Sequence, residues 1–210
     1  MATEKDLRER TLFLLWSKSA WKVEFTFENI YFTGAYFTAV ALAIQRKAAG
    51  GRGIGFRVGQ VGADADAQYD PADDVIDVRS YDYGTTAGDR DSLIHECFHA
   101  WRDVMGARVH TVRGGAISTT ALTDEAMAYL VGALFTNYDT TPPGGWVRSP
   151  DWASDPVYAE AHRVALPLTW AKTPVVSAED ARCLKAKIKA SPSYSALKAR
   201  PWTRYGNNGV

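Results

Sequence analysis

Asp89-Arg90-Asp91-Ser92-Leu93-Ile94-His95-Glu96-Cys97-Phe98-His99-Ala100-Trp101-Arg102-Asp103-Val104-Met105 carries the most regular pattern in the chain. Leu93, Ile94, Cys97, Phe98, Trp101 and Met105 recur at helical spacing, so the segment is predicted as one helix. Asp89 or Asp91 is its expected N-cap, and Gly106 stands just past its end. Inside it, His95-Glu96-Cys97-Phe98-His99 has the form H-E-x-x-H. Positions i and i+4 share a helix face, so the two imidazoles can aim nitrogens at one ion about 2.0–2.1 Å away. Glu96 can reach the open side of such an ion and accept a proton from water. In a chain of this length with four histidines the motif arises by chance roughly a few times in a thousand. The bland alternative is two polar histidines on a solvated face, opposite the stripe that holds Cys97, Phe98 and Trp101.

Working outward, Thr123 to Asn137 repeats the helical behaviour, with Thr123 as expected cap and Met127, Leu130, Val131, Leu134 and Phe135 as its stripe. Gly132 lies two turns beyond Glu125, where it could let two helices approach closely. Residues 4–19 and Ile30 to Ala48 are predicted helices, with Trp21 to Phe27 between them as a strand. Ile54 to Val61 and Val75 to Val78 are predicted strands, the second preceded by the turn residues Pro71-Ala72-Asp73-Asp74. Asp155 to Trp170 and Ala178 to Ala190 are predicted helices, Thr140 to Gly145 a loop, and the chain from about 192 an irregular tail.

Two imidazoles do not complete a catalytic zinc site, which takes three protein ligands and a water. A metzincin would place a glycine and a third histidine where Arg102 and Met105 stand, so that class is excluded. Glu125, 26 positions after His99, opens the next helix and fits as an acidic ligand. Here the chain resembles the gluzincins, the thermolysin-like branch of the zincin metallopeptidases. Asp124-Glu125-Ala126-Met127-Ala128-Tyr129 stands against the family's Asn-Glu-x-x-Ser-Asp, with the glutamate and the small residue three beyond it agreeing. The resemblance covers roughly residues 89–137. It implies that His95, His99 and Glu125 hold Zn2+, and that Glu96 is the general base of peptide hydrolysis. The family's last aspartate, which orients the first histidine, is replaced by Tyr129. Asp124, Tyr129 or a backbone carbonyl must then accept from that ring.

In zincins a strand ahead of the active helix lines the cleft, a place that Val75 to Ser80 would fill, binding an extended peptide by strand addition. His110, His162, Tyr81, Tyr83 and Tyr129 are the candidate donors to a developing oxyanion, with Tyr129 and His110 carried forward as catalytic candidates. Cys97 belongs to the apolar stripe and reads as core.

Composition bounds the partners. Lysine plus arginine equals aspartate plus glutamate at 24 each, which argues against nucleic acid or an anionic membrane as partner. Two cysteines are too few for a disulfide framework. The apolar run Leu12 to Trp16 is shorter than a secretory core of about 7–15 residues, and Ala35 to Ile44 is far below the roughly 20 a spanning helix needs. A cytoplasmic location, or export without a Sec signal peptide, is the expectation. The small size and the segment Tyr69-Asp-Pro-Ala-Asp-Asp-Val-Ile76 before the motif look like compact bacterial effector or toxin metallopeptidases, for which an inhibitor or immunity protein would be a partner.

The expectation is therefore one domain over 1–210 of α+β class. A short sheet of three or four strands from residues 21–80 packs on the active helix, followed by a mainly helical carboxy-terminal half. The leading function is a zinc metallopeptidase acting on a peptide or protein. The alternatives are a zincin-like binding module with a degenerate site and a zinc hydrolase of a non-peptide amide or ester.

Overall fold

The structure is a computed structural model that describes residues 2–59, 61, 66–105, 120–139, 154–192 and 194. Strands occupy its first half and long helices its second, a mixed α/β arrangement compatible with α+β. In chain order the elements are α1 (Glu4–Leu15), α2 (Lys18–Trp21), β1 (Glu24–Phe27), β2 (Ile30–Thr33), α3 (Phe37–Ala48), β3 (Gly55–Val58), β4 (Ala67–Asp70), β5 (Val75–Val78), α4 (Ala87–Met105), α5 (Ala121–Asp139), α6 (Pro156–Leu168) and α7 (Ala178–Ala190). No helix among the described residues is long and apolar enough to cross a membrane. The predicted loop Thr140 to Gly145, Gly106 and nearly all of the tail lie outside the described residues.

Two expectations about the amino-terminal half are corrected. Residues 4–19 break after Leu15, because Ser17 caps a separate short turn by accepting from the Ala20 amide. Ile30 to Ala48 is not one helix: Ile30–Thr33 pairs antiparallel with Glu24–Phe27, and only Phe37–Ala48 is α-helical. Ile30 and Phe32 point inward while Tyr31 and Thr33 are half-buried, the period-two pattern of a strand. Gly34 then turns the chain where a side chain could not fit, since a Cβ there would lie 1.8 Å from the Ala20 carbonyl oxygen. Phe32 delivers this hairpin to the core, its ring 4.9 Å from Trp101 and 5.3 Å from Phe98 of α4.

The single sheet expected from residues 21–80 is two. Beside the β1–β2 hairpin stands a three-stranded sheet ordered β3-β5-β4, in which β5 runs parallel to β3 and antiparallel to β4. Val75–Val78 is thus central, paired on both sides, and cannot be the open strand beside the cleft. β4 is an edge strand of this sheet and meets α4 through Tyr69. Pro71 to Asp74 makes the turn between β4 and β5 as expected, with Asp74 in the left-handed region at φ 55.

Both site helices are capped differently from expectation. Thr86 caps α4, its hydroxyl accepting from the Asp89 amide while Asp89 accepts from the Thr86 amide, a reciprocal capping box. Asp91 is therefore released from capping and is fully buried. Thr120 caps α5, accepting from the Thr123 amide. The two helices run antiparallel and meet closely at Gly132, where an added Cβ would fall 2.1 Å from Asp91 Oδ1. Gly132→Ala must push α4 and α5 apart at a buried carboxylate, so it is expected to cost about 1–3 kcal/mol in denaturant unfolding. Unchanged stability would show that the helices are not in this contact.

Candidate metal centre

α4 presents two faces with different jobs. Leu93, Cys97, Phe98 and Trp101 are buried in the core, and burial holds the Cys97 thiol above its usual range, so it is packing and not a nucleophile. His95 and His99 face α5, where Glu125, in the second turn of that helix, faces them.

The three groups converge. His95 Nε2 and His99 Nε2 lie 3.2 Å apart, His99 Nε2 is 3.4 Å from Glu125 Oε1, and His95 Nε2 is 3.6 Å from Glu125 Oε2. Bonds of about 2.0–2.2 Å in a tetrahedral arrangement put neighbouring ligand atoms about 3.3–3.5 Å apart. The His95–His99 and His99–Glu125 Oε1 separations lie near that value and Glu125 turns its other oxygen to His95, so the three residues could hold a metal ion. Together they form the one group of three or more candidate ligands among the described residues. Compared with protein-family models, with curated proteins and with solved structures, the chain matches none. What the site can do must come from its geometry.

Polar ties hold α4 and α5 in register on both sides of the triad, among them Arg90 Nε with Asp139 Oδ2 at 3.0 Å. Toward the start of α4, Thr136 donates to Asp91 Oδ2 at 3.1 Å, and His162 Nε2 of α6 lies 3.7 Å from the same oxygen. Toward its end, Arg102 Nε lies 3.2 Å from Asp124 Oδ1, both side chains nearly sealed from solvent. Removing one member of a buried pair strands the other charge, so these ties constrain the helix crossing strongly. Asp124 and Glu125, adjacent in sequence, thus contact different residues of α4: one locks the crossing and one reaches the histidines.

Glu96 lies beside the triad, with Oε1 3.9 Å from His95 Nε2 and Oε2 accepting from the Tyr69 main-chain N–H at 2.7 Å. Burial raises its carboxyl above the ordinary range, opposed by the two imidazoles. Burial likewise works against a charge on His99, yet the facing Glu125 carboxylate outweighs it and pushes the imidazole up to about 9. Glu125 itself, despite burial, is held well below the carboxylate range by His99 and His95.

A proton on His99 must therefore leave before an ion can bind. Below a pH of about 9 the apparent metal affinity is expected to climb roughly tenfold per pH unit, with about one proton released per ion. Competition against a chelator between pH 6 and 8 measures this; an affinity flat over that range would contradict the assignment of His99.

Tyr129 does not supply an acceptor to His95. Its ring stands edge-on to His95 at 4.6 Å and meets Tyr158 at 5.2 Å. His95 Nδ1 is buried without a hydrogen-bond partner among the described residues, and Asp124 is engaged with Arg102. Of the other oxyanion candidates, His162 sits by Asp91, the main-chain carbonyls of Tyr81 and Tyr83 accept from Arg10, and His110 lies outside the described residues. Sequence reasoning missed Tyr69, Asp91 and the Arg102–Asp124 pair. Charged residues within otherwise apolar helices were a usable signal for the last two, but a main-chain donor has none.

Proposed function

We propose that the chain is a zinc-dependent hydrolase of zincin type, a metallopeptidase, with His95, His99 and Glu125 as metal ligands and Glu96 as general base. The observation that carries this is the spacing of 3.2–3.6 Å among two imidazole nitrogens and a carboxylate, with a second carboxylate beside them. Two histidines with one glutamate is a ligand set of catalytic zinc, which leaves a fourth position open. A bound zinc ion supplies Lewis acidity at a carbonyl and lowers the pKa of a coordinated water toward about 7. Glu96 takes the proton from attacking water and passes it to the leaving amine, a double role that suits a carboxyl whose affinity for protons burial has raised. The ties at Asp91 and Arg102 keep the ligands in place, so little reorganisation accompanies binding.

A peptide or protein is the substrate class of this reading; β4 pairs with β5 along one edge, and on the other the Tyr69 N–H is already taken by Glu96, so strand addition at Tyr69 is not part of it.

A metal-binding module without turnover is the second reading, favoured by the buried His95 Nδ1 that finds no acceptor among the described residues. Incubation with a quenched-fluorescent peptide mixture separates the two. Hydrolysis that stops with a chelator and returns with zinc is the expected result; zinc bound without any hydrolysis would favour the module.

A further inference from the structure

Tyr69 touches α4 at two points, and the proposed chemistry uses neither directly. Its main-chain N–H donates to Glu96 Oε2 at 2.7 Å, and its hydroxyl donates to Asp103 Oδ2 at 2.7 Å. Glu96 and Asp103 are seven residues apart in α4, close to two turns, so they share a face about 10 Å apart along the axis. One tyrosine on the adjoining strand spans that distance. Tyr69 is 5% and Asp103 1% exposed, so the Asp103 end is enclosed, while Glu96 is partly buried. The strand behind it is fixed by pairing of Tyr69 with Ile76 in β5.

The consequence falls on Glu96. With Oε2 anchored to a main-chain donor, the carboxylate cannot turn freely, and Oε1 stays on the ligand side, 3.9 Å from His95 Nε2. The anchoring N–H belongs to the backbone, so its position depends on how β4 is held against α4. A four-residue strand holds itself weakly, whereas a buried hydroxyl-to-carboxyl bond fixes its sliding and tilt. Asp74 of the β4–β5 turn lies 3.3 Å from the same hydroxyl and closes the arrangement.

We propose that Tyr69 is a positioning residue for Glu96: its bond to Asp103 registers β4 on α4 and so sets the main-chain donor that orients the carboxylate. This rests on Glu96 acting as the base. The test uses the full chain loaded with Co2+, whose visible absorption reports the surroundings of the ion, together with turnover of the peptide mixture. Tyr69→Phe keeps the ring and the N–H but loses the hydroxyl. It is expected to retain one Co2+ per chain and to shift the spectrum in the same direction as Glu96→Gln, by less. It should lower kcat by about 10–100-fold, the range for groups that orient a site, with KM changed by less than about twofold. Added to Glu96→Gln it should do nothing further, because both changes act through one carboxylate. Asp103→Asn, which keeps an acceptor, should preserve the wild-type spectrum, and Asp103→Ala should reproduce Tyr69→Phe. A wild-type spectrum in Tyr69→Phe, or the same loss with and without Glu96→Gln, would overturn the proposal. Should Tyr69→Phe not fold, the Asp103 pair decides, and equal losses for Asn and Ala overturn it. If Glu96→Gln itself changes neither spectrum nor turnover, the base assignment fails and this inference falls with it, an outcome distinct from a clamp that fails while Glu96→Gln retains its effect.

Discussion

Replacing Glu96 by glutamine is expected to lower turnover by about 10²–10⁴-fold, the range for a general acid–base group, while the metal content stays at one ion per chain. The substitution is nearly isosteric. The amide oxygen can still accept from the Tyr69 N–H, and neither histidine nor Glu125 loses a neighbour of similar size. What disappears is the ability to take a proton from water and give it to the leaving group. Measuring kcat alongside zinc content separates this from a simple loss of metal. Full activity in Glu96→Gln would remove the carboxylate from the reaction.

Glu125→Ala acts on the other half of the site. It removes the ligand proposed from α5 and the counter-charge for His99, so the remaining imidazoles would offer an ion two neutral donors and no anionic one from the triad. Metal affinity is expected to fall by well more than the roughly 10–100-fold that an outer-shell change costs. His99 should also return toward its ordinary pKa, since the Glu125 carboxylate is what pushes it up to about 9. Chelator competition measures the first effect, and NMR titration of the metal-free protein the second. Wild-type affinity in Glu125→Ala would mean that the third ligand lies elsewhere.

How far the sequence could be read follows from which interactions decide each element. α4 and α5 are legible because their 3.6-residue stripes are local signals; the caps differ, each helix starts two residues earlier than expected, and α5 runs on to Asp139. Ile30 to Ala48 reads as one helix because Phe32 and Tyr36 continue the helical spacing of Val40 and Ile44, while Ile30 and Phe32 also alternate as in a strand. Pairing with Glu24–Phe27 settles the matter, and pairing is a tertiary event. β4 was passed over since Ala67-Gln-Tyr-Asp70 has little strand character of its own and is fixed by β5 and by α4. The same logic divides the site. His95, Glu96 and His99 follow from helix periodicity, and Glu125 follows from resemblance to a family pattern. The anchor on Glu96 is a backbone amide, which any residue at position 69 but proline would carry. Arg102 and Asp124 were visible as charges in apolar surroundings, but not as partners. Their pairing explains why Asp124 is not free to orient His95.

The assignment as a whole depends on one ion being held by groups from two helices. X-ray absorption on the purified, zinc-loaded protein, with the metal quantified per chain, tests this most directly. One zinc per chain in a nitrogen and oxygen shell at about 2.0–2.2 Å, with scattering from two imidazoles that is reduced in His95→Ala and His99→Ala, is the expected result. Zinc at well under one per chain, or a shell unaltered by those substitutions, would contradict it.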